Sequence, residues 1–175
     1  MEMLKDFPIK KYLDKKPPSD NSNTTKQEIL ELTKIPIKEN FVKEMDDGKG
    51  RIEKIVGKDP LVSKLINESR PIVDKLKKHF NRPRPKVLAK KMGVKMKDIE
   101  LKTMKTPSYP SGHSIQAYLM ALTLSDKYPK YRNKLMKTAK DISYSRRVAH
   151  AHYKSDSLFG EQIGRDMYNY IKNKV

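Results

Sequence analysis

The chain has no cysteine and no tryptophan among its 175 residues. Disulfides, thiolate catalysis and Cys-based zinc sites are therefore excluded. It also lacks a long apolar run. The longest stretch free of Asp, Glu, Lys and Arg, residues 106–125, holds two prolines, a glycine, a histidine and four serines. A bilayer-spanning helix needs about 20 predominantly apolar residues, so no transmembrane segment is expected. The opening Met-Glu-Met-Leu-Lys-Asp-Phe-Pro carries acids where a secretory signal has its apolar segment. A cytoplasmic or otherwise non-secreted chain is the expectation. Glycine is scarce (7) and the 11 prolines follow no period, which removes collagen-like and low-complexity readings.

What is present is positive charge: 39 Lys and Arg against 21 Asp and Glu, a net +18. It is unevenly spread. Residues 1–60 carry 13 basic and 12 acidic side chains, residues 61–105 carry 14 and 4, and residues 106–175 carry 12 and 5. An excess of this kind attracts anions of any sort: nucleic acid, acidic lipid headgroups or phosphorylated small molecules.

The apolar residues fall at helical spacing, and no alternation supports a strand, so a single-domain, all-α helical bundle is expected. Residues 1–24 lack apolar period and read as an extended arm ahead of a helical domain over 25–175. Thr25-x-x-Glu28 has the form of a capping box. A second helix is expected over 38–45, and a third from Asp59-Pro60 to Asn81, restarted or kinked at Pro71. Residues 86–110 read as a long basic loop. The most apolar helix is expected from Gly112 to Tyr128, another from about Lys130 to Ala149, and a last one after Asp156.

Three blocks stand apart from scaffold. In the first, Lys77 and Arg84 are seven apart, and Pro85 forces Arg84 out of the helix, so that its guanidinium can turn back toward the lysine. Two converging cations without a nearby acid suit a phosphate dianion. In the second, Pro110-Ser111-Gly112-His113 opens a helix, where unsatisfied amides, a hydroxyl and an imidazole can face one oxyanion. In the third, Ser145-Arg146 precedes His152 and Asp156, which at i,i+4 are neighbours on a helical face. The carboxylate can fix the imidazole tautomer and leave the other nitrogen as a nucleophile. Arg146, about 120° away from His152 on a continuous helix, needs a helix break or its own length to join them. His150 and His152, two apart, face different ways on a helix, and no third metal ligand is evident.

In order and spacing, Lys77-x6-Arg84-Pro85, Pro110-Ser111-Gly112-His113 and Ser145-Arg146-x5-His152-x3-Asp156 resemble the tripartite signature of the type 2 phosphatidic acid phosphatase and vanadium haloperoxidase superfamily. Tyr109, Ala151-His152-Tyr153 and Ser155-Asp156 look most like the soluble bacterial non-specific acid phosphatases. The likeness covers about residues 71–171; residues 1–60 carry no motif.

The resemblance implies a phosphoric monoester hydrolase that needs no cofactor or metal, with vanadate as an inhibitory phosphate mimic. It assigns His152 as the nucleophile forming a phosphohistidine, Asp156 as the residue that holds it, and His113 as the general acid. Lys77, Arg84, Ser111, Gly112 and Arg146 bind the phosphoryl oxygens, and the partner is a phosphorylated small molecule. Lys75-x6-Arg82-Pro83 fits the first block equally well; an additional arginine two before the key one in the soluble relatives favours Lys77 and Arg84. His150 stands where relatives have a small residue, and would crowd the site or add a titrating group. Two alternatives remain: a basic module binding nucleic acid or an acidic membrane surface through a decayed site, and a vanadate-dependent haloperoxidase. Weak polyanion binding is compatible with catalysis.

Overall fold

The computed structural model describes residues 2–174. Among the described residues there are eight α-helices and no strand. They are α1 (Asn23–Thr33), α2 (Glu39–Asp46), α3 (Gly48–Val56), α4 (Pro60–Phe80), α5 (Pro85–Lys91), α6 (Gly112–Lys127), α7 (Arg132–Val148) and α8 (Lys154–Ile171). Short 3-10 turns cover Ile9–Tyr12, Lys102–Lys105 and Pro129–Tyr131. No helix is long and apolar enough to cross a membrane among these residues.

Helix α6 is the axis of the molecule. Ser111 caps it by accepting the Ser114 amide, and Ile115, Leu119, Ala121 and Leu124 are wholly buried. A helix apolar on most sides has to be surrounded. Here α7 and α8 flank it most extensively and α4 covers a third side. Burying each leucine stabilises the fold by about 1.5–3 kcal/mol. The approach of α8 is set by two glycines one turn apart. A Cβ on Gly160 would lie 2.6 Å from the Ser111 carbonyl oxygen, and one on Gly164 would lie 2.6 Å from that of Ile115. Only glycine permits that contact, and it brings the start of α8 against the start of α6, where the Ser111 amide donates to the Asp156 carbonyl (3.1 Å).

Helix α4 runs through Pro71 without interruption. Proline inside a helix costs about 3 kcal/mol. The buried Val62, Leu65, Ile72, Val73 and Leu76 hold the two halves in one stripe against the core. The helix stops at Asn81, whose left-handed backbone (φ 48°) lets its amide close on the Lys77 carbonyl. The next residues, Arg82 to Arg84, lie outside any helix, and Arg84 is extended, as a residue before proline is pushed to be.

Three segments differ from the sequence expectation. The segment expected as an extended arm contributes Met3, Leu4, Phe7 and Tyr12 to the main core, docking as separate side chains around a 3-10 turn rather than as a periodic face. Helix α3, not expected, starts where Asp47 accepts the Gly50 amide. The basic stretch 86–110 contains α5, which begins with Pro85 at its first turn and buries Leu88 and Ala89 against Ile29 and Tyr153.

Candidate active site

The end of α4, the turn before α5 and the loop before α6 bring the first block together. Lys77 is almost fully buried, and its Nζ donates to Thr106 Oγ1 (3.1 Å). Arg84 donates from Nη2 to the same hydroxyl (3.2 Å) and from Nε to the Thr106 carbonyl (2.7 Å). Thr106 thus acts as the hinge-pin holding both cations. Lys75 is exposed on the other side of α4, and Arg82 lies behind the site, engaged with carboxylates. The pair that borders the cavity is Lys77 and Arg84.

His152 and Asp156 are in contact, for a different reason from a shared helical face. Helix α7 ends at Val148, His150 takes a left-handed conformation (φ 57°), and α8 starts only at Lys154. His152 therefore lies in the connecting turn, while Asp156 sits in the first turn of α8. There Asp156 Oδ2 accepts the Tyr153 amide (2.9 Å) and the His152 Nδ1–H (3.1 Å). With Nδ1 donating, the Nε2 lone pair is left to accept from Arg84 Nη1 (3.0 Å) at the cavity wall. The other carboxylate oxygen of Asp156 accepts from Arg82 Nη1 (2.8 Å). Arg82 is stacked 3.7 Å from the Tyr153 ring centre and reaches Glu28 of α1 (3.2 Å). Glu28 in turn accepts the amide (2.7 Å) and the hydroxyl (2.8 Å) of Ser155.

The second block presents Gly112 and His113 to the cavity, whereas the Ser111 hydroxyl faces inward, accepting from the Ser114 amide (3.3 Å) and hydroxyl (2.9 Å). His113 Nε2 donates to the Asp46 carbonyl (3.1 Å) and lies 3.5 Å from the Asp46 carboxylate. Arg146 is buried on α7 and donates from Nη1 to that same carboxylate oxygen (2.9 Å). The break after Val148 is what lets Arg146 and His152 approach the same site. His150 turns away from it: its ring nitrogens face the carbonyls of Lys97 and Ile35, and it does not border the cavity.

The cavity has a volume of about 590 Å³ and includes Asp46, Lys77, Arg84, Thr106, His113 and His152 in its wall. Burial, and then Arg84, lower the Lys77 ammonium to about 8. Burial lowers the Arg84 guanidinium to about 10, with Arg146 pushing the same way. Cations that depress one another are the electrostatic condition for binding an anion. His152 is held well below the usual histidine value by burial and then by Arg84, Lys77 and Arg146, which keeps its imidazole neutral. Burial lifts Asp156 to about 7, opposed by Arg82 and the Tyr153 amide. Among the described residues no three of His, Cys, Asp and Glu come together as a metal-ligand set.

An all-helical molecule with a basic, two-histidine pocket at helix ends is the class that fold and site define. Residues 61–169 match the PAP2 superfamily, and the chain belongs to that family. Over 88 residues it is 35% identical to the non-specific acid phosphatase of Salmonella typhimurium, and equally to that of Salmonella typhi. The aligned part is 50% of this chain and 35% of each relative, so the chain matches about a third of those proteins' length.

Sequence reasoning did not single out Asp46, Thr106 or Glu28 as parts of the site. Asp46-Asp47-Gly48 reads as a helix stop, and Glu28 as half of a capping box. In the structure Ser22, not Thr25, caps α1, which frees Glu28 to reach across to Arg82.

Proposed function

We propose that the chain is a metal-independent phosphatase that hydrolyses phosphate monoesters through a phosphohistidine on His152. One observation carries this reading. Asp156 accepts a hydrogen bond from Nδ1–H of a neutral His152, and the Nε2 lone pair of His152 borders a cavity shared with Lys77, Arg84 and His113.

Lys77, Arg84 and Arg146 neutralise the non-bridging phosphoryl oxygens, and the amides at the start of α6, shaped by the Ser111 cap, complete the cradle. His152 Nε2 donates its electron pair to phosphorus. The P–O bond to the leaving group breaks, and the departing oxygen takes a proton from the His113 imidazolium. In the second half-reaction neutral His113 removes a proton from water as the water oxygen bonds phosphorus. The P–N bond breaks, its electron pair returns to Nε2, and inorganic phosphate leaves. Asp156 stabilises the positive charge on the imidazole throughout.

The test is turnover of a generic aryl phosphate in excess chelator. His152→Ala should lower kcat by roughly 1,000-fold or more. Vanadate should compete with substrate, because it occupies the same oxyanion cradle. Full activity of the His152→Ala protein sinks the mechanism. On an alkyl phosphate, whose leaving oxygen has to be protonated, the pH profile should be a bell, since His152 has to be neutral while His113 is protonated. A rate rising without limit into alkaline pH excludes that pairing.

A further inference from the structure

We propose that Asp46, outside the family match, is a positioning residue: one carboxylate oxygen fixes Arg146 and supplies the counter-charge for the His113 imidazolium. The inference rests on the phosphatase reading above and assigns its leaving-group step to a residue from the N-terminal part of the chain.

The geometry is specific. Asp46 Oδ1 lies 2.9 Å from Arg146 Nη1 and 3.5 Å from His113 Nε2. The same residue's carbonyl accepts from His113 Nε2 at 3.1 Å. It can do both because it is the last residue of α2, where the final carbonyls have no intrahelical partner. A second carboxylate, Asp47, follows immediately but is committed to the Gly50 amide (2.9 Å). Since Nε2–H is held by Asp46, the proton left for transfer from the imidazolium is the one on Nδ1.

The surroundings make a counter-charge necessary. Lys77 of α4, Arg84 ahead of α5 and Lys49 of α3 line the same cavity, and Arg146 of α7, held by the same carboxylate, opposes a positive charge on His113. His152, neutral, adds none. Asp74 of α4 acts on Lys77. Burial and Arg146 lower His113, and Asp46 is the group that raises it again. Hydrogen bonding from His113 and the charge of Arg146 hold Asp46 itself ionised, below its usual value.

Asp46→Asn tests this, because the amide oxygen still accepts from Arg146 while the charge is gone. Two substrates are compared over pH: an aryl phosphate whose leaving oxygen needs no proton, and an alkyl phosphate whose leaving oxygen does. The alkyl substrate should lose kcat by at least about tenfold more than the aryl one. The alkaline limb of its profile should move to lower pH, because without Asp46 the imidazolium gives up its proton earlier. Asp46→Glu should restore part of the loss. A ring-nitrogen NMR titration of His113 should show its midpoint falling in Asp46→Asn, with no turnover required. Equal losses on both substrates with an unmoved limb and midpoint overturn the proposal. Absence of turnover by the unaltered chain on every phosphate ester overturns the phosphatase reading instead, and the titration then decides alone whether Asp46 governs His113.

Discussion

Residues 1–60 and residues 61–175 answer each other electrostatically. The second part holds the recognisable motifs and 26 of the 39 basic side chains; the first is nearly neutral and has no motif. Yet carboxylates from the first part meet the cations of the second at three places: Glu28 on Arg82, Asp46 on Arg146, and Asp59 on Lys127. One pair among the described residues runs the other way, Lys11 with Asp166, at 3.9 Å and half exposed. A pocket built to hold an anion carries excess positive charge that destabilises the fold around it. The N-terminal part supplies counter-charge at the pocket's back, on Arg82, and at its edge, on Arg146.

Breaking the deepest of these contacts should have the largest effect. The Arg82 side chain is fully buried between Asp156 and Glu28. Glu28→Ala leaves Arg82 with a single carboxylate and strips Ser155 of its acceptor. Removing one partner of a buried ion pair costs about 3 kcal/mol or more. Urea unfolding should show that loss, and kcat should fall with it, because Arg82 orients the carboxylate that holds His152. Glu31→Ala, on an exposed face of the same helix, should stay within about 0.5 kcal/mol of the unaltered chain. Equal effects of the two substitutions would remove Glu28 from the site.

A contact inside the second part gives the contrast. Gly160→Ala places a methyl group against the Ser111 carbonyl and pushes α8 away from α6. Overpacking of this kind costs about 2 kcal/mol. It should also reduce activity, since Asp156 rides on α8 and His113 on α6. Here the N-terminal carboxylates are untouched, so His113 should titrate as in the unaltered chain, unlike in Asp46→Asn. A shifted His113 midpoint in Gly160→Ala would mean that the two parts are not separable in this way.

The same division explains what was legible in the sequence. Helix α6 could be placed because Ser111 starts it and Pro129 follows it; Lys77, Arg84, His113 and His152 stood out through short, fixed spacings. Glu28 and Arg82 are 54 residues apart, and Asp46 and Arg146 are 100 apart, so no local spacing records either pair. Helix α3 escaped notice because its two glycines and charged residues outweigh Ile52, its one buried apolar side chain. The docking of Met3, Leu4, Phe7 and Tyr12 has no periodicity to read, because it is made by single residues of an irregular segment. His152 and Asp156 were paired from their spacing, but the contact comes from a helix-start turn, a geometry that i,i+4 spacing alone does not distinguish from a helical face.

The smallest expected effect lies at the junction of the two parts. Asp59 caps α4 by accepting the Leu61 amide (2.9 Å), and its other oxygen accepts from Lys127 (2.7 Å) and the Tyr128 hydroxyl (2.6 Å). Loss of an N-cap costs about 1 kcal/mol, so Asp59→Ala should lower stability by about that much at neutral pH. The hydrogen bonds from Lys127 and Tyr128 hold the Asp59 carboxyl down at about 2, below its unfolded value of 3.8. A depressed carboxylate stabilises the fold above the unfolded value, and that contribution disappears as pH falls toward the folded one. The stability gap between the unaltered chain and Asp59→Ala should therefore be constant above about pH 5 and narrow between about pH 4 and 2. Denaturant unfolding across that range measures it directly. A gap that does not narrow on acidification would make Asp59 a spacer at the junction rather than a charge that joins the acidic and basic parts of the chain.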